Sequence, residues 1–332
     1  MSPISTSPAV SIVTANYNGA AHLAEALRSV QAQTMGDWEL ILVDDCSRDD
    51  SLAVAREFAA ADPRIRVFAQ DVNGGPGAAR NRALDEARGD WVAVFDSDDV
   101  MRPDRLQRLL IRAREDGAQV VADNQLICDG ELQAQRLFID LAHAAALREV
   151  DLAGFIDSSR LYARMPDLGF LKPLIRRDLI ARSGARYDEG LRVGEDFHFL
   201  VEVLAAGAVL HLEPEPLYLY RKHGSSISHR LSQPVIAAMI RADRHACARL
   251  HADRAAVRAM NRRIEGLKSW SAHEQVMAAA KARRWGLALA TALRRPHAWR
   301  LISRPLLMRL ERKLGGKSAP INSGDGGGIV AT

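Results

Sequence analysis

Trp91-Val92-Ala93-Val94-Phe95-Asp96-Ser97-Asp98-Asp99 runs five apolar residues of strand composition directly into three carboxylates within four positions. Like charges that close repel one another, and a hard divalent cation with oxygen ligands, Mg²⁺ or Mn²⁺, relieves that repulsion. Such an ion takes one or two protein carboxylates and completes its shell with water and substrate phosphates. Helix capping explains one aspartate after a strand, because aspartate accepts from the first free backbone N–H groups and complements the positive helix end. It does not explain three. The stretch therefore predicts a buried strand whose end carries a metal-bridged phosphate substrate.

Working outward, Val10-Ser11-Ile12-Val13-Thr14 has the composition of a buried strand and is followed by the polar turn Asn16-Tyr17-Asn18-Gly19. Leu23, Ala26, Leu27 and Val30 then recur at helical spacing. Trp38 to Val43 repeats the strand, ends at Asp44-Asp45, and leads through the cap residues Ser47 to Ser51 into a helix reaching Ala61. Ile65 to Ala69 is a third strand, Asn73-Gly74-Gly75-Pro76-Gly77 a turn, Ala78 to Ala87 a helix, and Pro103-Asp104 opens another helix through Glu115 before a fifth strand at Val120 to Ala122. This alternation predicts an α/β fold with a mostly parallel sheet flanked by helices on both faces. Ligands of such sheets gather beyond the carboxyl ends of the strands, so the turns after strands one, two and four share one rim.

Residues 131–166 lack a regular period and read as an insertion or lid; Phe170 to Ile180, Phe197 to Ala206 and Ala208 to Leu212 are further elements. Beyond Ser232 the chain turns Ala/Arg-rich and helical. The expected organisation is a catalytic α/β domain at 1–230, a basic helical region at 231–314 and a disordered Gly/Ser tail at 315–332.

Composition narrows the class. Of 332 residues 48% are hydrophobic and 26% charged, as in soluble globular proteins, which excludes a fibrous or disorder-dominated chain. Cys46, Cys128 and Cys247 lie far apart, without zinc or redox spacing, and suit a reducing cytoplasm. The first residues lack signal-peptide character, and no apolar run reaches the roughly 18 residues of a membrane span. No G-x-G-x-x-G follows the first strand, which excludes the dinucleotide-binding signature. Net charge is only +4, with the positive residues concentrated toward the C-terminus. Between Lys281 and Lys317 the arginines alternate with Trp285, Leu287, Leu289, Trp299 and Leu301. Two readings of this stretch stand: amphipathic helices on the anionic inner face of the cell membrane, or helices packed on the catalytic domain with a solvated charged face. No nucleic-acid-binding module is present.

Six separated motifs occur in order: Ser11 to Asn18, Val43-Asp44-Asp45-Cys46-Ser47, Asn73 to Asn81, Asp96-Ser97-Asp98-Asp99, Gly194-Glu195-Asp196 and Tyr220-Arg221-Lys222-His223. Over Pro8 to Ser228 the chain resembles the family 2 inverting glycosyltransferases of the GT-A fold, in particular bacterial enzymes of succinoglycan-type exopolysaccharide and cell-surface glycan assembly. The resemblance implies a sugar transferred from a nucleotide-diphosphate donor to a hydroxyl of a glycan or lipid-linked glycan. Ala15 and Tyr17 would line the base, and Asp45 would accept from a base N–H, which uracil presents, as thymine and guanine also do, and which suggests a UDP-sugar first. Arg80 and Arg221 would face the diphosphate, Asp96 the ribose or sugar, and Asp98, Asp99 and His223 the metal. Asp196 would be the general base, with Glu195 orienting the acceptor. Beside these roles stand local ones: Asp44 capping with Ser47, Asn81 fixing a loop, Glu195-Asp196 as a helix-start pair, and His223 in structural hydrogen bonding. Cys46 stands where the family usually has glycine, which predicts a different loop shape there. The rival function is a non-catalytic nucleotide-sugar-binding subunit of a polysaccharide assembly complex.

Overall fold

The computed structural model describes residues 7–161, 163, 165–222 and 231–294. The chain divides into two compact units, Met1–Phe155 with Leu168–Ser228, and Ile156–Asp167 with His229–Thr332. The first begins β1 (Val10–Asn16), α1 (Ala20–Gln31), β2 (Trp38–Asp44), α2 (Ser51–Ala61), β3 (Ile65–Ala69), α3 (Pro76–Glu86), β4 (Trp91–Val94), β5 (Val100–Met101), α4 (Arg105–Asp116) and β6 (Val120–Cys128). There follow β7 (Ala134–Leu137), α5 (Leu141–Ala146), β8 (Glu149–Val150), and α6 (Leu152–Ser158), which straddles the boundary between the units. Beyond it come β9 (Leu174–Arg176), α7 (Arg177–Ser183), α8 (Glu195–Ala205) and β10 (Leu210–Arg221).

The strands form one sheet in the order β3-β2-β1-β4-β9-β6-β10-β5. Its nucleus β3-β2-β1-β4 is parallel, with Asn16 level with Asp44 and Val13 level with Val94, so the first, second and fourth strands end on the same rim. β1 and β2 are buried along nearly their whole length, as strands covered on both faces must be. α1 lays Leu23, Ala26, Leu27 and Val30 on the sheet at the spacing of one helical face, and α4 adds Leu106, Leu109 and Ala113 to the same core. Gly117, left-handed at φ 63°, ends α4 as only glycine does without strain.

β9 inserts antiparallel to both β4 and β6, a reversal that three residues in a loop-rich stretch do not announce in sequence. The segments at 208–212 and 217–220 form one twelve-residue strand, β10, with register shifts between Glu213 and Pro216 and between Pro216 and Tyr218. Pro214 and Pro216 cannot donate to the ladder, which explains the interruption. The irregular stretch at 131–166 is an insertion tied into the sheet: β7 pairs with β6 and β8 with β10.

The second unit carries α9 (Gln233–Arg249), α10 (Arg254–Lys281) and α11 (Trp285–Arg294). The Asp253 carboxylate starts α10 by accepting from the N–H groups of Ala255 and Ala256, both at 2.9 Å. Ala288 and Ala292 of α11 bury against Val276 and Ala279 of α10, while Trp285, Leu289 and Leu293 remain exposed. Among the described residues no helix is long and apolar enough to cross a membrane. The rest of the basic stretch, the predicted tail at 315–332 and His223 lie outside the described residues.

Candidate active site

The rim is knitted by its own loops. Asp44 accepts from the Asn16 amide at 2.9 Å and from Ser47 N–H and Oγ at 2.9 and 2.6 Å, closing the turn after β2 against the end of β1. Asn18 N–H donates to Ser47 Oγ at 2.9 Å, and Arg48 N–H to Asn18 Oδ1 at 2.8 Å. Both turns store strain: Asn18 sits at φ 51° and Cys46 at φ 61°. Cys46 thus takes the left-handed conformation that a glycine would supply, and the loop keeps the shape that its sequence argued against. Gly19 marks a close approach, since a Cβ there would lie 2.3 Å from Asn16 Oδ1 and 3.4 Å from Ser97 Oγ of the acidic turn. Tyr17 is 43% exposed at the end of β1, beside the half-buried Ala15.

Asp45, assigned from sequence to a base, is buried under the glycine turn. Its carboxylate accepts from Gly74 N–H at 2.7 Å, Gly75 N–H at 2.8 Å and the Gln70 amide at 2.8 Å. These bonds set the path of the turn that leads into α3. Asn81 donates to the Tyr187 carbonyl at 3.0 Å and to Glu189 at 2.9 Å, holding the 187–189 loop.

Arg80 reads from sequence as a phosphate contact; in the structure it is buried and turned inward. Its guanidinium donates to Glu195 Oε1 at 2.8 Å and Asp96 Oδ1 at 2.7 Å and stands 3.2 Å from Asp196 Oδ1. Opposite it, Lys172 Nζ lies 2.7 Å from Asp96 Oδ2 and 2.8 Å from Asp196 Oδ2. Two cations and three carboxylates, drawn from α3, the acidic turn, the strand-entry loop before β9 and the start of α8, therefore form one cluster. Asp196 Oδ1 is buried and accepts no hydrogen bond among the described residues.

The rest of the acidic turn is braced from β10. Asp99 accepts from Tyr218 OH at 2.7 Å and from Arg221 N–H at 2.8 Å. Arg221, expected in a polar loop over the diphosphate, is instead the buried last residue of β10; it donates to the Asp98 carbonyl at 2.8 Å, the Gly130 carbonyl at 2.5 Å and Glu25 at 2.6 Å. Its place in the strand, with the side chain turned under the acidic turn, accounts for the difference.

One carboxylate oxygen from each of Asp96, Asp98 and Asp99 lies within 4.8 Å of the others, the only such group of potential ligands among the described residues. An all-oxygen donor set suits Mg²⁺ or Mn²⁺. Burial, with Asp98 and Asp96 close by, pushes the Asp99 carboxyl well above its usual range, so the turn resists full ionisation until a cation offsets its charge. Asp96 behaves oppositely. Burial opposes its charge, but Lys172 and Arg80 outweigh that and hold it well below the carboxylate range. Burial likewise opposes the Lys172 ammonium, and Asp196 and Asp96 override it. Glu195 is pushed up by burial and by Asp196.

Lys172 is the residue that the motif reading missed. One signal was present: a lone lysine in the apolar run Phe170-Leu171-Lys172-Pro173-Leu174-Ile175 must be buried against acids or not at all.

A model of glycosyl transferase family 2 matches residues 11–180. The succinoglycan biosynthesis protein ExoO of Rhizobium meliloti (strain 1021) is 38% identical over 305 residues, 92% of this chain and 87% of that protein. Among solved structures, TarS 1-349 of S. aureus in complex with UDP-GlcNAc superposes with a TM-score of 0.61 at 17% identity, covering 86% of this chain and 92% of that one. The mannosyltransferase PcManGT of Pyrobaculum calidifontis, in complex with GDP-Man and Mn²⁺, gives a TM-score of 0.53 at 17% identity over 94% and 89% of the two chains. A rim of three strand ends, the acidic turn after β4 and the Glu195-Asp196 pair recur where the motif order requires them, and this chain belongs to glycosyl transferase family 2, a glycosyltransferase of the GT-A fold.

Proposed function

We propose that the enzyme inverts configuration as it transfers a sugar from a nucleotide-diphosphate donor to a hydroxyl of a glycan or lipid-linked glycan in exopolysaccharide assembly, with Mn²⁺ or Mg²⁺ as cofactor. The observation that carries this reading is the cluster in which Asp96, on the acidic turn, and Asp196, at the head of α8, meet across Lys172 and Arg80. Asp98 and Asp99 would hold the cation, which when bound neutralises charge on the departing nucleotide. Asp98, half-buried, would offer one oxygen to the ion, and Asp99, held by Tyr218 and Arg221, another. Tyr17 and Ala15 line the base, and Asp45 shapes the glycine turn beside it. Asp96 faces the sugar. Asp196 Oδ1 receives the proton of the attacking hydroxyl, which requires the base to stand on the face opposite the leaving group. Glu195, fixed by Arg80, orients the acceptor. ExoO's role in succinoglycan biosynthesis and the nucleotide sugars bound by TarS and PcManGT support a nucleotide-sugar donor and a polysaccharide product.

The exposed Trp285, Leu289 and Leu293 of α11, flanked by Arg283, Arg284 and Arg294, support a peripheral seat on an anionic cytoplasmic membrane surface, where a lipid-linked acceptor resides.

A panel of nucleotide sugars screened for thermal stabilisation with and without Mn²⁺, followed by turnover of those that bind, tests the reading. A true donor at about a hundred times its Kd stabilises by about 2.7 kcal/mol. Asp196→Asn abolishes transfer while leaving that shift intact. Full activity in Asp196→Asn refutes the assigned base; binding without hydrolysis or transfer by the unmodified chain favours the non-catalytic subunit instead.

A further inference from the structure

Lys172 belongs to none of the six motifs, yet it comes within 2.8 Å of both the carboxylate at the sugar side and the one at the acceptor side, closer than Arg80, which reaches Asp196 only at 3.2 Å. Its ammonium has three donors. Two are committed, to Asp96 Oδ2 at 2.7 Å and Asp196 Oδ2 at 2.8 Å, and its side chain is only 5% exposed. Two carboxylates both within reach of one nitrogen repel each other, and they stay there only while a cation stands between them. Arg80 shares the task, but its fork is spread over Asp96, Glu195 and Asp196 and its hydrogen bonds go to the first two.

The backbone beneath Lys172 is anchored on both sides. The Lys172 carbonyl accepts from Arg105 at 2.5 Å, and Arg105 is fully buried and paired with Asp123 at 2.8 Å. The next carbonyl, that of Pro173, accepts from Val94 N–H at 3.1 Å, at the end of the strand that delivers the acidic turn. Whatever Lys172 holds is therefore set by the core of the sheet and not by a loop.

Resting on the reading that Asp196 is the base, we propose that Lys172 is a positioning residue for the transfer: it clamps Asp196 to Asp96 and so fixes the base relative to the donor sugar. A lysine suits the task because its compact charge bridges two oxygens from one point, whereas a planar guanidinium is longer and fans its donors apart. A base displaced by about 1 Å loses on the order of a hundredfold in rate.

The test uses the full chain with Lys172→Met and Lys172→Arg, binding of UDP with Mn²⁺ by calorimetry, kinetics with the nucleotide sugar that the screen selects, and a crystal structure of Lys172→Met. The expected result is a fall of about a hundredfold in kcat with the donor KM and the UDP affinity within threefold of the parent, a raised ratio of donor hydrolysis to transfer, and an Asp196 carboxylate turned away from Asp96 in the crystal. Lys172→Arg, which keeps the charge and folds, recovers no more than about tenfold of the loss. An unchanged kcat in either variant overturns the proposal, as does a loss carried wholly by KM. If Lys172→Met fails to fold, Lys172→Arg alone decides by the same kcat criterion. A silent Lys172→Met beside an inactive Asp196→Asn overturns this inference alone; an active Asp196→Asn overturns the base assignment on which it rests.

Discussion

Two buried arginines of the same unit lie in opposite kinds of company. Arg105, fully buried on α4, meets the equally buried Asp123 on β6 at 2.8 Å, with its remaining donors on the Lys172 carbonyl and Met101 sulfur and its plane 4.9 Å from the Tyr218 ring. One cation meets one anion and the set is sealed. Arg80 meets three carboxylates with only Lys172 to help, and the acids retain 11 to 21% side-chain exposure. Burial of charge alone thus does not mark function. An excess of one sign that still reaches the surface does, because a balanced and enclosed pair has nothing left to offer a substrate.

The contrast breaks or sharpens under substitution. Asp98→Asn removes the proposed metal ligand on the acidic turn next to that cluster and is expected to cut transfer at least a thousandfold, about 4 kcal/mol of barrier, while the urea midpoint stays level or rises because a repulsion felt by Asp99 is relieved. A loss of folding together with activity would erase the distinction. Arg105→Met should do the reverse in stability, costing about 3 to 5 kcal/mol in urea denaturation by stranding Asp123. Adding Asp123→Leu should return most of that.

Asp62 and Arg64 supply a more exposed reference. The Arg64 guanidinium, donating to both carboxylate oxygens at 3.0 and 2.8 Å, brings the Asp62 carboxyl down to about 2 against the opposing effect of burial. A depressed carboxyl contributes stability that is complete above its unfolded value of about 3.9 and disappears as pH falls through about 2. Arg64 is 38% exposed, so solvent screening reduces the effect, and Asp62→Asn should cost about 1 kcal/mol at neutral pH, with parent and variant converging below about pH 2 in acid titrations. The smallest effect belongs to Cys46→Gly. Relief of the left-handed strain is offset by the greater freedom of the unfolded glycine, leaving a gain of a few tenths of a kcal/mol. A destabilised Cys46→Gly would mean that the thiol contact to the Asp71 carbonyl holds the turn.

Much of this was legible in the chain. The apolar runs ending in Asn16, Asp44 and Asp96 gave the parallel nucleus and its rim, because a strand covered on both faces is written as continuous apolar sequence. Leu23 to Val30 gave the first helix face by its spacing. What escaped was partnership. Arg80 read as a phosphate ligand and Arg221 as a loop cation since sequence states charge but not direction, and their partners Glu195 and Glu25 lie 115 and 196 positions away. The bonds from the N–H groups of Gly74 and Gly75 to the Asp45 carboxylate escaped for a related reason, because backbone donors carry no mark in the sequence. The element read at Phe170 to Ile180 contains β9, whose antiparallel insertion was hidden by its length, and Lys172 escaped by belonging to no recognisable motif.

The break in β10 at Glu213 to Tyr218 has a consequence for how the chain tolerates change in length. Side chains alternate faces along a strand, so a one-residue slip would swing the Tyr218 ring to the far side of the sheet and carry the Arg221 N–H out of register, leaving Asp99 without its brace. Two prolines stand where such a slip would have to start, and a bulge pins the count of residues that follows it. Insertions or deletions between Leu217 and Arg221 should therefore be barred to the protein's descendants, while the hairpin tip, whose Asp129 N–H closes on the Gln133 carbonyl, is free to lengthen only beyond Gly130, whose carbonyl receives Arg221.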